Sequence, residues 1–252
     1  MIRFLLLAAI LTLGVTESIA QVNTERLRSD KDGTSGSVDA SVSVRRGNSD
    51  LLDVSTGIRL DHKDKRNYAF LVGRVSYGTN NSTTYSNSAF AHLRYNRELS
   101  SALAIEVFGQ LQRDGFTLLQ LRALLGAGIR VQYVKNDRLR LAQGSSLMYE
   151  NERLDAAKVI VHPNRIETAR WSNYVTLAGS PVENLTLVST TYVQSALSDF
   201  GDVRIVNDAS VAVSLSSRIS LTTTLSFRYD SKPPDNIESA DLVVRNGLRI
   251  SL

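Results

Sequence analysis

The sequence predicts an all-β chain: a transmembrane antiparallel up-and-down β-barrel of about twelve strands. Three observations predict it. From Gly36 to Leu252 apolar and polar residues alternate with period two, in runs of about ten residues. The joints between runs are alternately short and long. The first twenty residues have the make-up of an export signal, in a chain without cysteine.

That signal comes first. Arg3 gives a short positive start, Phe4 to Val15 is almost wholly apolar, and Ser18-Ile19-Ala20 supplies the small residues a signal peptidase reads. Cleavage is expected before Gln21. A membrane anchor is the alternative, but about twelve apolar residues fall short of the roughly twenty a spanning helix needs. Removing 1–20 takes one basic and one acidic residue and leaves the net charge at +4. Residues 21–35 read as a polar leader and 36–252 as the barrel.

Strands are expected near 36–46, 51–61, 67–78, 86–98, 102–113, 117–135, 138–150, 166–179, 184–195, 202–214, 218–230 and 240–252. In the fifth, Leu103, Ile105, Val107 and Leu111 oppose Ala104, Glu106, Phe108, Gln110 and Gln112. In the sixth, Leu121, Leu125, Ile129 and Tyr133 oppose Arg122, Gly126, Arg130 and Gln132. In the eleventh, Leu221, Leu225 and Tyr229 oppose Ser220, Thr224 and Arg228. The third is blurred, with Tyr68, Phe70 and Val72 on one face and Leu71, Val75 and Tyr77 on the other. A single helical turn is expected within Arg153 to Val161.

The joints after the even strands are short: His62–Arg66, Arg97–Ser101, Asn136-Asp137, Ser180–Val182 and Ser216-Ser217. Those between are mostly longer or more polar: Thr79–Tyr85, Asn151–Arg165, Ala196–Gly201 and Ser231–Ser239. Gly47–Asp50 and Asp114–Phe116 are exceptions. Tight turns at one end and loops at the other are the asymmetry of an outer-membrane barrel, whose even strand count puts both termini in the periplasm. The loops near Lys158 and Lys232 are then expected outside the cell.

Alternation alone leaves open which face is wet, and a soluble sheet would turn its apolar face inward. Strand length decides. Ten or more residues exceed the usual five or six and match the nine to eleven that cross a bilayer when tilted. Charges also recur at mid-strand on the polar face: Asp53, Arg59, Glu106, Arg122, Arg130, Arg204, Asp208 and Arg228. Facing lipid, an arginine near the midplane would cost roughly 2–4 kcal/mol, so these residues are expected to line the lumen.

Particular stretches carry a family resemblance. Val22 to Asp30, Arg46-Gly47-Asn48-Ser49-Asp50-Leu51-Leu52, Phe90 to Asn96, Leu124 to Arg130 and Ser146 to Leu154 resemble the YdiY-like salt-induced outer-membrane proteins, or domain of unknown function 481. The resemblance implies an outer-membrane barrel and brings no catalytic or binding residues. Many such barrels end on an aromatic residue, whereas this chain ends Arg249-Ile250-Ser251-Leu252.

Candidate chemistry is sparse. Without cysteine there is no disulfide scaffold, cysteine-ligated metal or thiol catalysis. The scattered basic residues form no cluster for nucleic acid. His92 is the one strand histidine; a catalytic triad would need it beside a serine, and an ordinary strand residue is the plainer reading. Asp30-Lys31-Asp32-Gly33 has the start of a calcium loop, but position twelve would be Ser41 rather than glutamate. Gly126-Ala127-Gly128 lacks the third glycine of a dinucleotide site and fits relief of crowding. Asp53, Asp61, Glu106 and Asp208 invite an acid-pair reading, against lumenal carboxylates facing arginines. No catalytic, cofactor-binding or metal residues are assigned and no cofactor is expected.

The expectation is a non-enzymatic outer-membrane barrel, structural or passing small solutes with a weak anion preference. That preference follows from an excess of inward arginine over carboxylate. Its expected partners are outer-membrane lipids and the barrel-assembly machinery, with the solute unknown. The alternatives are an outer-membrane hydrolase of lipase or protease kind and a soluble periplasmic β protein that binds a ligand.

Overall fold

The computed structural model describes residues 32–45, 51–80, 83–136 and 138–251. The expected signal peptide and the leader before Asp32 lie outside the described residues. Twelve strands follow in order: β1 (Gly33–Arg45), β2 (Leu51–Asp64), β3 (Asn67–Asn80), β4 (Thr83–Glu98), β5 (Leu103–Asp114), β6 (Leu119–Lys135), β7 (Leu139–Leu154), β8 (Arg165–Val182), β9 (Leu185–Ala196), β10 (Val203–Ser214), β11 (Ile219–Asp230) and β12 (Ala240–Ser251). Each pairs antiparallel with its chain neighbours, and β12 returns to β1 to close the barrel. Closure leaves no free sheet edge along most of the wall, which lipid requires.

One end carries tight turns. Lys65 adopts the left-handed region (φ 52°) in the two-residue turn between β2 and β3, as hairpin turns of this length demand. Short polar side chains close others: the backbone N–H groups of Arg138 and Leu139 donate to Asn136 Oδ1, and those of Arg218 and Ile219 to Ser216 Oγ. The opposite end carries the loops 155–164, 197–202 and 231–239. The helical turn expected near Arg153–Val161 is one i→i+4 turn, in which the Val159 N–H donates to the Asp155 carbonyl.

The largest departure is Thr79–Tyr85, expected as a polar joint. There β3 runs to Asn80 and β4 starts at Thr83, with Thr79 opposite Thr84 and Asn80 opposite Thr83 after a bulge at Gly78/Thr79. Polar β-formers above the membrane pair as strand without needing alternation, so period two cannot see them. β7 also runs past its expected limit at the loop end, to Leu154, and β8 at the turn end, to Val182.

Burial alternates along each strand, inverted relative to a water-soluble protein. In β5, Glu106, Phe108, Gln110, Gln112 and Asp114 are buried, while Ile105, Val107 and Leu111 are exposed. Leu125 is 65 % exposed in the middle of β6, whereas its neighbour Leu124 is 4 % exposed. A closed wall that presents leucine, isoleucine and valine outward all round is a lipid-facing wall. Outward aromatics sit toward both ends, Tyr77, Tyr149 and Tyr229 on the loop side and Tyr95 and Tyr133 on the turn side, as in interfacial girdles. Polar groups on this wall satisfy one another: Asn207 Nδ2 donates to Thr191 Oγ1 (2.9 Å), Thr223 Oγ1 to Asn246 Oδ1 (2.7 Å) and Trp171 Nε1 to Ser145 Oγ (2.9 Å).

Candidate functional site in the barrel interior

The interior divides into a filled side and an open side. On the filled side, inward residues of β3 to β9 pack against one another. His92 (1 % exposed) stacks on Phe70, Phe90 and Phe108, with ring centroids 5.8, 6.3 and 5.8 Å away. The Arg94 guanidinium lies 5.0 Å from the Phe108 ring and 5.3 Å from that of Tyr174, a cation held by π faces. Its partner Glu106 also accepts a hydrogen bond from the Tyr174 hydroxyl (2.7 Å). Arg130 Nη1 reaches the same hydroxyl at 3.3 Å.

These rings explain the blurred third strand. Tyr68, Phe70 and Val72 face inward and Leu71, Val75 and Tyr77 outward, so both faces are apolar by composition. They also account for Gly126 and Gly144. A Cβ at Gly126 would stand 2.4 Å from Phe108 Cζ, and one at Gly144 would stand 2.0 Å from Tyr174 Cε1. The glycines make room for the rings of the residues directly opposite on the paired strands.

Toward the loop end lies an ionic hub. Glu150 is fully buried and accepts from Arg122 Nη2 (2.8 Å), Arg170 Nε (3.0 Å) and Arg204 Nη1 (2.5 Å). Arg204 also reaches Glu152 (3.0 Å) and Asp230 (2.8 Å), and Arg170 reaches Asp202 (2.9 Å). Such a cluster survives burial because each charge has opposite charges in contact. Above it the loops are tied together. The Asp235 carboxylate accepts from the backbone N–H groups of Ile160, Val161 and His162, and Lys232 pairs with Asp199 at 2.6 Å. Those N–H groups hold the Asp235 carboxyl below the usual range, and the Lys232 ammonium does the same for Asp199.

The open side lies between β1–β3 and β9–β12. Here a cavity of ≈ 290 Å³ opens toward the turn end, lined by Arg59, Arg74, Arg249 and Asp39 and by hydroxyls including Ser210 and Thr224. Arg59 is bound to Asp61, which also accepts from the Tyr68 hydroxyl. Arg249 Nε donates to Asp39 Oδ1 (2.6 Å). Asp208 accepts from Arg228 Nη2 (2.9 Å) and Ser226 Oγ (2.5 Å). Arg74 lies over Gly57, at Coulomb range of Asp39, Asp208, Arg228 and Arg245. The two carboxylates there are engaged by Arg249 and Arg228.

Each residue expected from the sequence to line the lumen is thereby placed. Arg122 (2 % exposed), Arg204 and Glu106 belong to the filled side, with Arg130 beside Tyr174. Arg59, Asp208 and Arg228 border the open side, and Asp53 is half-buried on β2. Sequence reasoning missed Arg74, because its strand was too apolar to assign a face, and Glu152, because β7 was ended at Glu150. The sequence signal for Arg74 was its shared parity with Ser76. Asp32, from the calcium-like run, accepts from the Lys65 N–H (2.9 Å) at the turn end.

The family model for a protein of unknown function, DUF481, matches residues 38–251. The chain belongs to DUF481. Within solved structures, this DUF481 chain is similar to the translocator domain of autotransporter NalP from Neisseria meningitidis, at 11 % identity and TM-score 0.52, over 88 % of this chain and 89 % of that one. That likeness is one of fold alone. The NanC porin aligns at 10 % identity and TM-score 0.47, over 86 % of this chain and 97 % of that one. The KdgM porin aligns at 10 % identity and TM-score 0.47, over 87 % of this chain and 99 % of that one. No curated protein matches the sequence. Among the described residues of this DUF481 barrel, no group of histidine, aspartate and glutamate is placed to hold a metal ion.

Proposed function

We propose that the chain is a non-enzymatic barrel of the bacterial outer membrane, exported by its first twenty residues, that admits small anionic solutes through its open side. Outer-membrane lipids and the barrel-assembly machinery are its partners on this reading, and the turn end faces the periplasm. The observation that carries it is the ≈ 290 Å³ cavity with Arg59, Arg74 and Arg249 in its wall. Among the described residues much of the remaining interior is occupied by rings and paired charges, which leaves this cavity as a polar path for a solute. Guanidiniums and hydroxyls along that route favour anions. A hydrolase centre at His92 does not fit this geometry, because three phenylalanine rings cover the imidazole.

Conductance of the purified full chain in planar bilayers tests the reading. Small, anion-preferring steps are expected, and Arg74→Glu shifts the reversal potential toward cations. Cation preference in the wild type, or a conducting Arg74→Glu variant with unchanged selectivity, overturns it. Reversal of Arg122 and Arg130, the pair to which the sequence alone points, leaves the selectivity of folded protein unchanged, since Arg122 is locked to Glu150.

A further inference from the structure

On the lipid-facing side of β3 and β4 the outward residues are small. Gly73 stands opposite Ala91, and Val75 opposite Ala89. Larger outward side chains rise on both flanks, Ile58 on β2 and Leu111 and Leu121 on β5 and β6. Together they bound a groove of ≈ 380 Å³ on the outer wall. No carboxylate lines it; its charged residues are Arg113 and, from the inward face, Arg74. Large apolar walls around small residues leave dispersion contacts unmade, and a hydrocarbon chain can make them.

Arg113 stands at the loop end of this groove, one residue before the end of β5 and on the outward parity of Val107 and Leu111. Beyond Leu121 comes Arg153, opposite that leucine and one residue before the end of β7. With one strand between them, the two backbones stand about 10 Å apart. Both arginines are exposed, and neither has an ion pair or a side-chain hydrogen bond among the described residues. The next outward cation, Arg165 on β8, faces Arg153 and pairs with Glu167. Glu167 also accepts from the Tyr149 hydroxyl (2.8 Å) and Asn151 Nδ2 (3.1 Å), and Asp155 pairs with Lys158. The carboxylates of this rim are thus engaged, whereas Arg113 and Arg153 are not. A guanidinium on the lipid side is tolerated where it reaches headgroup level.

We propose that Arg113, Arg153 and the groove form a docking site for a phosphorylated, multiply acylated glycolipid of the outward-facing leaflet. Its phosphates meet the guanidiniums and one acyl chain lies in the groove. This rests on the outer-membrane reading with the loop end outward. Charge complementarity selects the ligand: unpaired guanidiniums present forked donors to phosphate oxygens, next to an apolar trench without a carboxylate. Two such groups about 10 Å apart suit a lipid with two phosphates, where a diacyl phospholipid offers one.

Native mass spectrometry of the folded full chain in a neutral detergent tests the site, by titration with diphosphoryl lipid A, its dephosphorylated form and dioleoyl-phosphatidylglycerol. One retained lipid A, held about tenfold more tightly than either of the others, is expected. Arg113→Gln and Arg153→Gln should each weaken it several-fold. Ala91→Phe, which fills the groove without touching either arginine, should do the same. All three positions are outward and should keep the heat-modifiable band of a folded barrel; if Ala91→Phe fails to fold, Ala89→Leu replaces it with the same expectation. Unchanged lipid A binding in the double variant Arg113→Gln/Arg153→Gln, or equal binding of the dephosphorylated form, overturns the site and leaves the channel reading standing. Phosphatidylglycerol held more tightly than lipid A would put this rim in the inner leaflet, overturning the site together with the orientation it rests on.

Discussion

Three guanidiniums, of Arg122, Arg170 and Arg204, converge on the buried carboxylate of Glu150. Removing one partner of a buried ion cluster leaves buried charge undercompensated, at up to about 3–5 kcal/mol. Glu150→Ala should therefore lower stability by about that amount in urea unfolding from lipid vesicles, and Arg122→Ala, whose loss leaves other cations on Glu150, should cost less. Gly144→Ala tests the ring packing: its Cβ would collide with Tyr174, whose hydroxyl bonds Glu106. Overpacking of this kind costs about 1–3 kcal/mol, read in the same unfolding assay. The facing of Arg122 and Glu150 was legible from parity along their strands. Their meeting was not, because period two gives a residue's face but says nothing of which strand lies across the lumen.

Strand number and order were legible at the level of elements, since lipid on one side and a packed interior on the other enforce alternation along every crossing. Legibility fails where that contrast fails. β3 buries Tyr68, Phe70 and Val72 and so lost its pattern; above the membrane β3 and β4 continue as polar strand and read as loop. The loop ties belong to this scale too. Asp235 has its carboxyl held low by the N–H groups of Ile160, Val161 and His162, so it supports the folded loops above its unfolded pKa of about 3.9. That support is lost as the pH falls through the lower folded value. Hydrogen exchange at Ile160 and Val161, expressed relative to the intrinsic rate at each pH, should accordingly be strongly retarded at pH 7 and less so below about pH 4. Asp235→Ala should quicken it at pH 7. On whole cells, added trypsin should cut after Lys158 rather than at Lys63–Arg66, since on the proposed reading the loop end faces out; Lys232 resists because Pro233 follows it.

At the scale of the molecule, one inversion governs the rest: leucine and valine outside, arginine and glutamate within. It gives a membrane-spanning wall, a filled side and an open side lined by arginines. The chain has no cysteine, so single cysteines along β6 can each carry one bimane label without interference. Quenching of those labels by brominated lipids, measured from position 121 to 133 in reconstituted vesicles, tests the inversion most directly. The account predicts quenching that alternates with period two, strong at Leu121, Leu125 and Ile129 and weak at Arg122, Leu124 and Arg130. Uniform quenching, or the opposite phase with Leu124 quenched and Leu125 shielded, would contradict it.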